Sequence, residues 1–154
     1  MNVYPNLKKD RIFLDVHART KEEALKEILE NLRNIKEISS FEGFSADVTE
    51  REHVHTTGIG DGIALPHARS KNVKDFFIAM ARSREGIDFA SIDKKPAHLI
   101  FLMGAPQEAL ELYLKVLAHL NRLLVKNTNL RSALLEAETA EGVIDLIREA
   151  ELSS

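Results

Sequence analysis

Cysteine and tryptophan are both absent, and the 154 residues include only 7 glycines and 4 prolines. Without cysteine there is no disulfide framework, no thiolate metal site and no cysteine nucleophile, as expected of a chain held in a reducing interior. The low glycine and proline content excludes collagen-like and low-complexity chains. No apolar run approaches the roughly 18 residues that span a bilayer, and the opening MNVYPNLKKDRIFL lacks the charged start, apolar stretch and cleavage site of a secretory signal. The expected location is the cytoplasm, with no direct membrane insertion. Neither sign of charge dominates: 24 acidic and 21 basic residues leave a net charge of −3. The lysines and arginines are scattered, which argues against nucleic acid as a direct ligand.

What is present, 44% hydrophobic and 29% charged residues, suits one compact domain over residues 1–154. Residues 12–16 read as a short strand. Thr20 and Glu23 form a capping box for a helix whose apolar positions Ala24, Leu25, Ile28, Leu29, Leu32 and Ile35 keep helical spacing, ending near Ile38. Ser45 is the expected N-cap of a shorter helix that reaches His53. A loop follows through Gly62, then apolar residues 63–65, with Pro66 denying helical continuation so that His67 falls at a strand end. Residues 76–81 and 97–103 read as buried strands, each closed by a turn signal. A long helix is expected from Pro106 to about Lys126, and Thr128 and Thr139 are expected to cap two more. The order β, α, α, β, β, β, α, α, α predicts an α/β single-domain sandwich, a mixed sheet of about five strands flanked by helices.

The chemistry-bearing stretch is Arg51-Glu-His-Val-His-Thr-Thr-Gly-Ile-Gly-Asp-Gly-Ile-Ala-Leu-Pro-His67-Ala. Its glycines follow G-x-G-x-G and lead into an extended Ala-Leu-Pro rather than a helix, so a dinucleotide fingerprint is not matched, and the Lys-Ser/Thr of an ATP-binding loop is missing. Such a loop is expected to form an anion pocket. Gly58 and Gly60 bring backbone amides close, Thr56 and Thr57 add hydroxyl donors, and Arg51 offers a fork for phosphate oxygens. Pro66 would hold the His67 imidazole rigidly beside that pocket. With an ordinary pKa of about 6.5, a histidine is largely neutral and nucleophilic in the cell.

This stretch resembles the signature of the mannitol- and fructose-class IIA domains of the bacterial phosphoenolpyruvate-dependent phosphotransferase system, a class that includes a nitrogen-regulatory branch. Glu52, six residues, Ile59-Gly60, two residues, then Ile63-Ala64-Leu65-Pro66-His67-Ala68 fit that pattern, and Arg51 falls where the class keeps an active-site arginine. More weakly, the likeness runs through the whole chain, including the long helix after Met103-Gly104-Ala105-Pro106. The resemblance implies a fold like that of the mannitol-specific IIA domain. It also implies a phosphotransferase component without cofactor or metal, which takes a phosphoryl group on His67 from a histidine phosphocarrier protein. Downstream it implies a IIB domain, whose acceptor is a cysteine that must lie on another chain, or a regulatory target. With no transporter segment before Ser154, the nitrogen-regulatory branch is the expected one, a sugar-dedicated IIA component the alternative.

Other readings stand beside this one. A binding module that has kept the fold and lost the transfer is countered by the intact His67 segment. A metal hydrolase on His53, His55 and His67 would need Glu52 or Asp61 as its base. His17 and His98 read as structural or solvated. On the long helix, Glu111, Lys115, His119, Arg122 and Lys126 form a charged stripe, which predicts His119 in water, while Leu110, Tyr113, Leu114, Leu117, Leu120 and Leu124 form the apolar face. Many domains of the resembling class carry a second active-site histidine where this helix begins, and here Tyr113 stands in that position. It has two readings, a hydrogen-bond donor at the site or core filler.

Overall fold

The computed structural model describes residues 1–153. After two single-turn 3-10 helices, Tyr4–Asn6 and Lys9–Arg11, the elements run β1 (Ile12–Phe13), α1 (Lys21–Asn31), α2 (Phe41–Val54), β2 (Gly58–Gly60), β3 (Ile63–Ala64), β4 (His67–Ser70), β5 (Phe77–Ile87), β6 (Ala97–Pro106), α3 (Leu110–Val125), α4 (Thr128–Glu136) and α5 (Ala140–Leu152). The expected α/β sandwich is present, with six strands in place of about five. The sheet is mixed. β5 and β6 pair antiparallel at its centre, β1 runs parallel to β5, and β3 and β4 both run parallel to β6.

Sidedness follows from the period of two along the strands. Ile78, Met80, Phe101 and Met103 pack with Tyr113, Val116, Leu120 and Leu124 of α3 and with residues of α4 and α5. Phe77, Ala79, Ala81 and Leu102 pack on the other side with Leu25, Ile28 and Leu29 of α1 and Phe44 and Val48 of α2. Two apolar layers therefore enclose the sheet. Among the described residues no helix is long and apolar enough to cross a membrane.

Several boundaries differ from expectation, each for a local reason. Ser40, not Ser45, caps α2, accepting from the Gly43 amide at 3.2 Å, so that helix starts four residues before Ser45. Asn127 accepts from the Leu130 amide and caps α4, leaving Thr128 as the first helical residue; Thr139 caps α5 as expected. β5 runs straight through the supposed turn at Arg84 to Gly86, because a register shift in its pairing with β6 absorbs the glycine. β6 likewise carries Gly104 to Pro106, and α3 starts only at Leu110.

Along the edge of β6 lies the irregularity that matters most. β3 pairs with Leu99 and Ile100, and β4 resumes beside Met103. Leu65 and Pro66 interrupt the ladder, since proline has no N–H to give. The Leu65 amide turns to Thr57 O at 2.9 Å, and Met103 N reaches Pro66 O at 3.1 Å. His67 thus opens a strand instead of ending one, because pairing with β6 continues beyond the proline.

Candidate functional site

His67 is held by that interruption. It is 8% exposed, and its Nδ1 lies 2.6 Å from Leu65 O. A carbonyl only accepts, so Nδ1 carries the proton and Nε2 keeps the lone pair. Burial pushes the imidazole pKa below its ordinary 6.5, assisted by the Arg51 guanidinium and opposed by the Leu65 hydrogen bond and the Glu52 carboxylate. The ring is therefore neutral at neutral pH, with an unprotonated Nε2.

Tyr113, in the first turn of α3, meets His67 edge to face, ring centroids 5.3 Å apart at 68°. Both readings of this residue fit its position, for it is 9% exposed, belongs to the apolar cluster and touches the site ring. Burial raises its phenol pKa against the pull of Arg51 and Arg69, so the hydroxyl stays protonated. Arg51, near the end of α2, donates from Nη1 to His55 O at 2.9 Å. Arg51 and Tyr113 line a cleft of about 650 Å³ between the end of α2, β4 and the start of α3.

The residues between Arg51 and His67 are tied up otherwise than an anion pocket requires. The Thr57 hydroxyl donates to Glu52 Oε1 at 2.6 Å and its amide to Glu52 Oε2 at 2.8 Å. The Thr56 hydroxyl donates to Phe89 O at 2.9 Å while accepting from Lys21 Nζ at 3.0 Å and the Gly58 amide at 3.1 Å. Neither hydroxyl proton, nor the amide of Thr57 or Gly58, is left for a phosphate in this conformation. Gly58 and Gly60 form β2 rather than a ligand loop. A side chain on Gly58 would come within 2.9 Å of the Ser91 Cα, and Gly60, at φ +98°, begins the tight turn to β3. The glycines let backbone approach backbone.

Glu52 is the hub of this arrangement. Its side chain is 2% exposed and takes Lys21 Nζ at 2.8 Å in addition to the two Thr57 donors. Continuing from Thr57 O to Leu65 N and from Leu65 O to His67 Nδ1, a chain of hydrogen bonds connects the buried carboxylate to the imidazole. The signature glutamate is thus accounted for by rigidity. Its spacing was legible in the sequence; its partner Lys21, 31 residues earlier, was not.

The remaining histidines lie apart from His67. His53 and His55 are exposed, and among the described residues no three His, Cys, Asp or Glu gather as metal ligands. His17 sits 3.4 Å from Glu85, and His98 Nδ1 lies 2.8 Å from Ser83 O. His119 corrects the helical-stripe expectation. It is largely covered, with Nε2 2.6 Å from Glu151 of α5, because a helix 32 residues later packs over the charged stripe. The buried face of α3 is Tyr113, Val116, Leu120, Leu123 and Leu124, leaving Leu110 and Leu114 45% and 53% exposed beside the site end of the helix. Sequence reasoning also passed over Arg69, whose place two residues after His67 on a strand was the available signal.

Comparison with known proteins assigns this sheet, with its proline-broken edge strand and buried histidine, to a class of phosphotransferase component. Residues 6–150 match the profile of the family described as "Phosphoenolpyruvate-dependent sugar phosphotransferase system, EIIA 2", and the chain belongs to that family. It is 37% identical over 138 residues to the fructose-specific EIIA component of Haloferax volcanii, covering 90% of this chain and 89% of that one. With the fructose-specific EIIABC component of Bacillus subtilis it shares 34% identity over 149 residues, 97% of this chain but only 23% of that longer protein. The crystal structure of the nitrogen regulatory protein IIA-Ntr from Neisseria meningitidis superposes with a TM-score of 0.86 at 29% identity, covering 94% of this chain and 98% of that one.

Proposed function

We propose that this chain is a cytoplasmic phosphohistidine relay, taking a phosphoryl group on Nε2 of His67 from a histidine phosphocarrier protein. The observation that carries the reading is the 2.6 Å contact from His67 Nδ1 to Leu65 O, which commits one ring nitrogen and leaves the other with its lone pair. In the transfer, the P–N bond of the donor phosphohistidine breaks as the bond to His67 Nε2 forms. No proton need move. The ring, still protonated at Nδ1, becomes cationic, and Leu65 O is placed to stabilise that charge. Arg51 neutralises charge on the equatorial oxygens; in such transfers positioning and charge compensation make up most of the catalysis. The same cationic ring is a good leaving group for the next step.

Downstream, the favoured acceptor is the cysteine of a fructose-class IIB domain. The identities of 37% and 34% with fructose components, over 90% and 97% of this chain, support it. The nitrogen-regulatory reading draws on the 0.86 TM-score with IIA-Ntr. Chasing labelled chain with a fructose-class IIB protein distinguishes them. Rapid loss of label to the IIB cysteine is the expected result. Label that stays on this chain in the presence of active IIB would sink the sugar assignment and favour a regulatory target.

A further inference from the structure

The cleft beside His67 holds a second guanidinium that the scheme above leaves unused. Arg69 lies two residues beyond His67 on β4, so both side chains leave the same face of the strand. Its guanidinium carbon is 5.7 Å from the centre of the Tyr113 ring, the same ring that meets His67 edge to face. Arg69 Nη1 donates to Gln107 O at 2.6 Å, which anchors the fork against the turn that leads into α3. Its Nε and Nη2 make no hydrogen bond among the described residues, and no carboxylate pairs with it there. This is an anchored cation with donors to spare.

Across the cleft stands Arg51, and Lys71 adds a third positive charge at the rim. Asp47 and Glu50 are the acids of the same cleft, but the Asp47 carboxylate is engaged by the Ser70 hydroxyl and by Asn72 Nδ2. The Arg51 charge helps lower the His67 pKa, and Arg51 and Arg69 together oppose the rise in the Tyr113 pKa. A phosphoryl group on a side chain carries close to two negative charges and three acceptor oxygens, more than one guanidinium can neutralise.

We propose that Arg69 is a second phosphate ligand, forming with Arg51 a two-guanidinium clamp that acts only when a phosphoryl group is on or near His67. This rests on the reading of His67 as the acceptor. It differs from a general electrostatic role in one respect: Arg69 should affect the phosphorylated state and leave the free imidazole alone.

The experiment compares the parent chain with Arg69→Gln, Arg69→Lys and Arg51→Gln. Each is phosphorylated by phosphoenolpyruvate with the general phosphotransferase enzyme and a histidine phosphocarrier, then separated from them. Transfer rate, lifetime of the isolated phosphohistidine, the pKa of its phosphate by phosphorus NMR, and the pKa of unphosphorylated His67 by proton NMR are measured. In Arg69→Gln, transfer should slow by about tenfold, the scale of one charge-assisted contact, with a shorter phosphohistidine lifetime and a higher phosphate pKa. Arg69→Lys should recover part of each change. The free His67 pKa should stay at the parent value in Arg69→Gln and rise in Arg51→Gln. Parent-like rate, lifetime and phosphate pKa in Arg69→Gln would overturn the clamp. A shifted free His67 pKa in that variant would overturn the selectivity for the phosphorylated state, and slower transfer with parent-like lifetime and phosphate pKa but a lowered unfolding midpoint would overturn the clamp by making Arg69 structural. A parent chain that takes no label would instead fault the reading of His67, and with it remove the phosphate Arg69 is meant to hold.

Discussion

Replacing Glu52 by glutamine should destabilise the fold and mis-set the imidazole together. The carboxylate is buried and takes three donors: the Thr57 amide at 2.8 Å, the Thr57 hydroxyl at 2.6 Å and Lys21 Nζ at 2.8 Å. Glutamine keeps the volume and one oxygen, but its amide group must face at least one of those donors. With the retained oxygen on the Thr57 amide and Lys21, the bond from the Thr57 hydroxyl is inverted and that from Lys21 loses its charged acceptor, each change costing about 1.5 to 3 kcal/mol. Lys21, whose side chain is 14% exposed, regains part of its loss by turning to water. The net cost should be about 3 kcal/mol, within the range for breaking a buried pair. For a domain of this length that is a fall in unfolding temperature of roughly 6 to 12 °C. Urea unfolding should show a lowered midpoint with an unchanged m-value, and phosphorylation of the variant at a temperature where it is folded should still be slower, because Thr57 O and Leu65 O lie between Glu52 and the ring. A loss below about 0.5 kcal/mol together with parent-like phosphorylation would refute the reasoning, since it would mean that the hydrogen-bond chain positions nothing.

Tyr113→Phe should shorten the phosphohistidine lifetime or slow transfer with little change in unfolding temperature, as the phenol makes no hydrogen bond among the described residues. Tyr113→His should give a transfer rate that varies with pH around the ordinary histidine value of about 6.5. Parent-like kinetics in both would leave Tyr113 as core filler. Burial holds the folded-state pKa of His67 below 6.5, so on acidification the unfolded chain binds a proton first. Above that pH His67 contributes no pH dependence; as pH falls below it, stability drops until the lowered folded pKa is reached. In denaturation curves across pH 5 to 8, His67→Gln should flatten this part of the slope relative to the parent, and identical slopes would contradict a buried neutral ring.

Much of the fold was legible because its signals are local. The capping box at Thr20, the apolar spacing of α1 and the strand-length runs around residues 78 and 100 all depend on neighbours within a turn or a strand. The failures share a cause, an override by residues distant in sequence. Arg84, Glu85 and Gly86 read as a turn until a register shift with β6 carries β5 through them. Leu110 and Leu114 read as core until α3 is seen to turn Val116 and Leu123 inward. His119 read as solvated until α5 supplied Glu151.

At the site, His67 and Arg51 stood out through their spacing in one motif. Thr56, Thr57, Gly58 and Gly60 stood out too, for the same local reason, and the structure commits them to Glu52, Phe89, Lys21 and the β2–β3 hairpin. A run of hydroxyls and glycines marks many donors in a short stretch. It does not say whether those donors face a ligand or one another. Only the partner from α1 decides that, and its distance in sequence hides it.

The most direct test of the central claim is to identify the atom that carries the phosphate. Chain labelled from phosphoenolpyruvate through the general enzyme and a histidine phosphocarrier, with nitrogen-15 in its histidines, reports the modified nitrogen by NMR. The account predicts one phosphohistidine, at residue 67, with phosphorus on Nε2 and the proton retained on Nδ1, and no label in His67→Ala. Phosphate on Nδ1, which already donates to Leu65 O, or full labelling of the His67→Ala chain would contradict it.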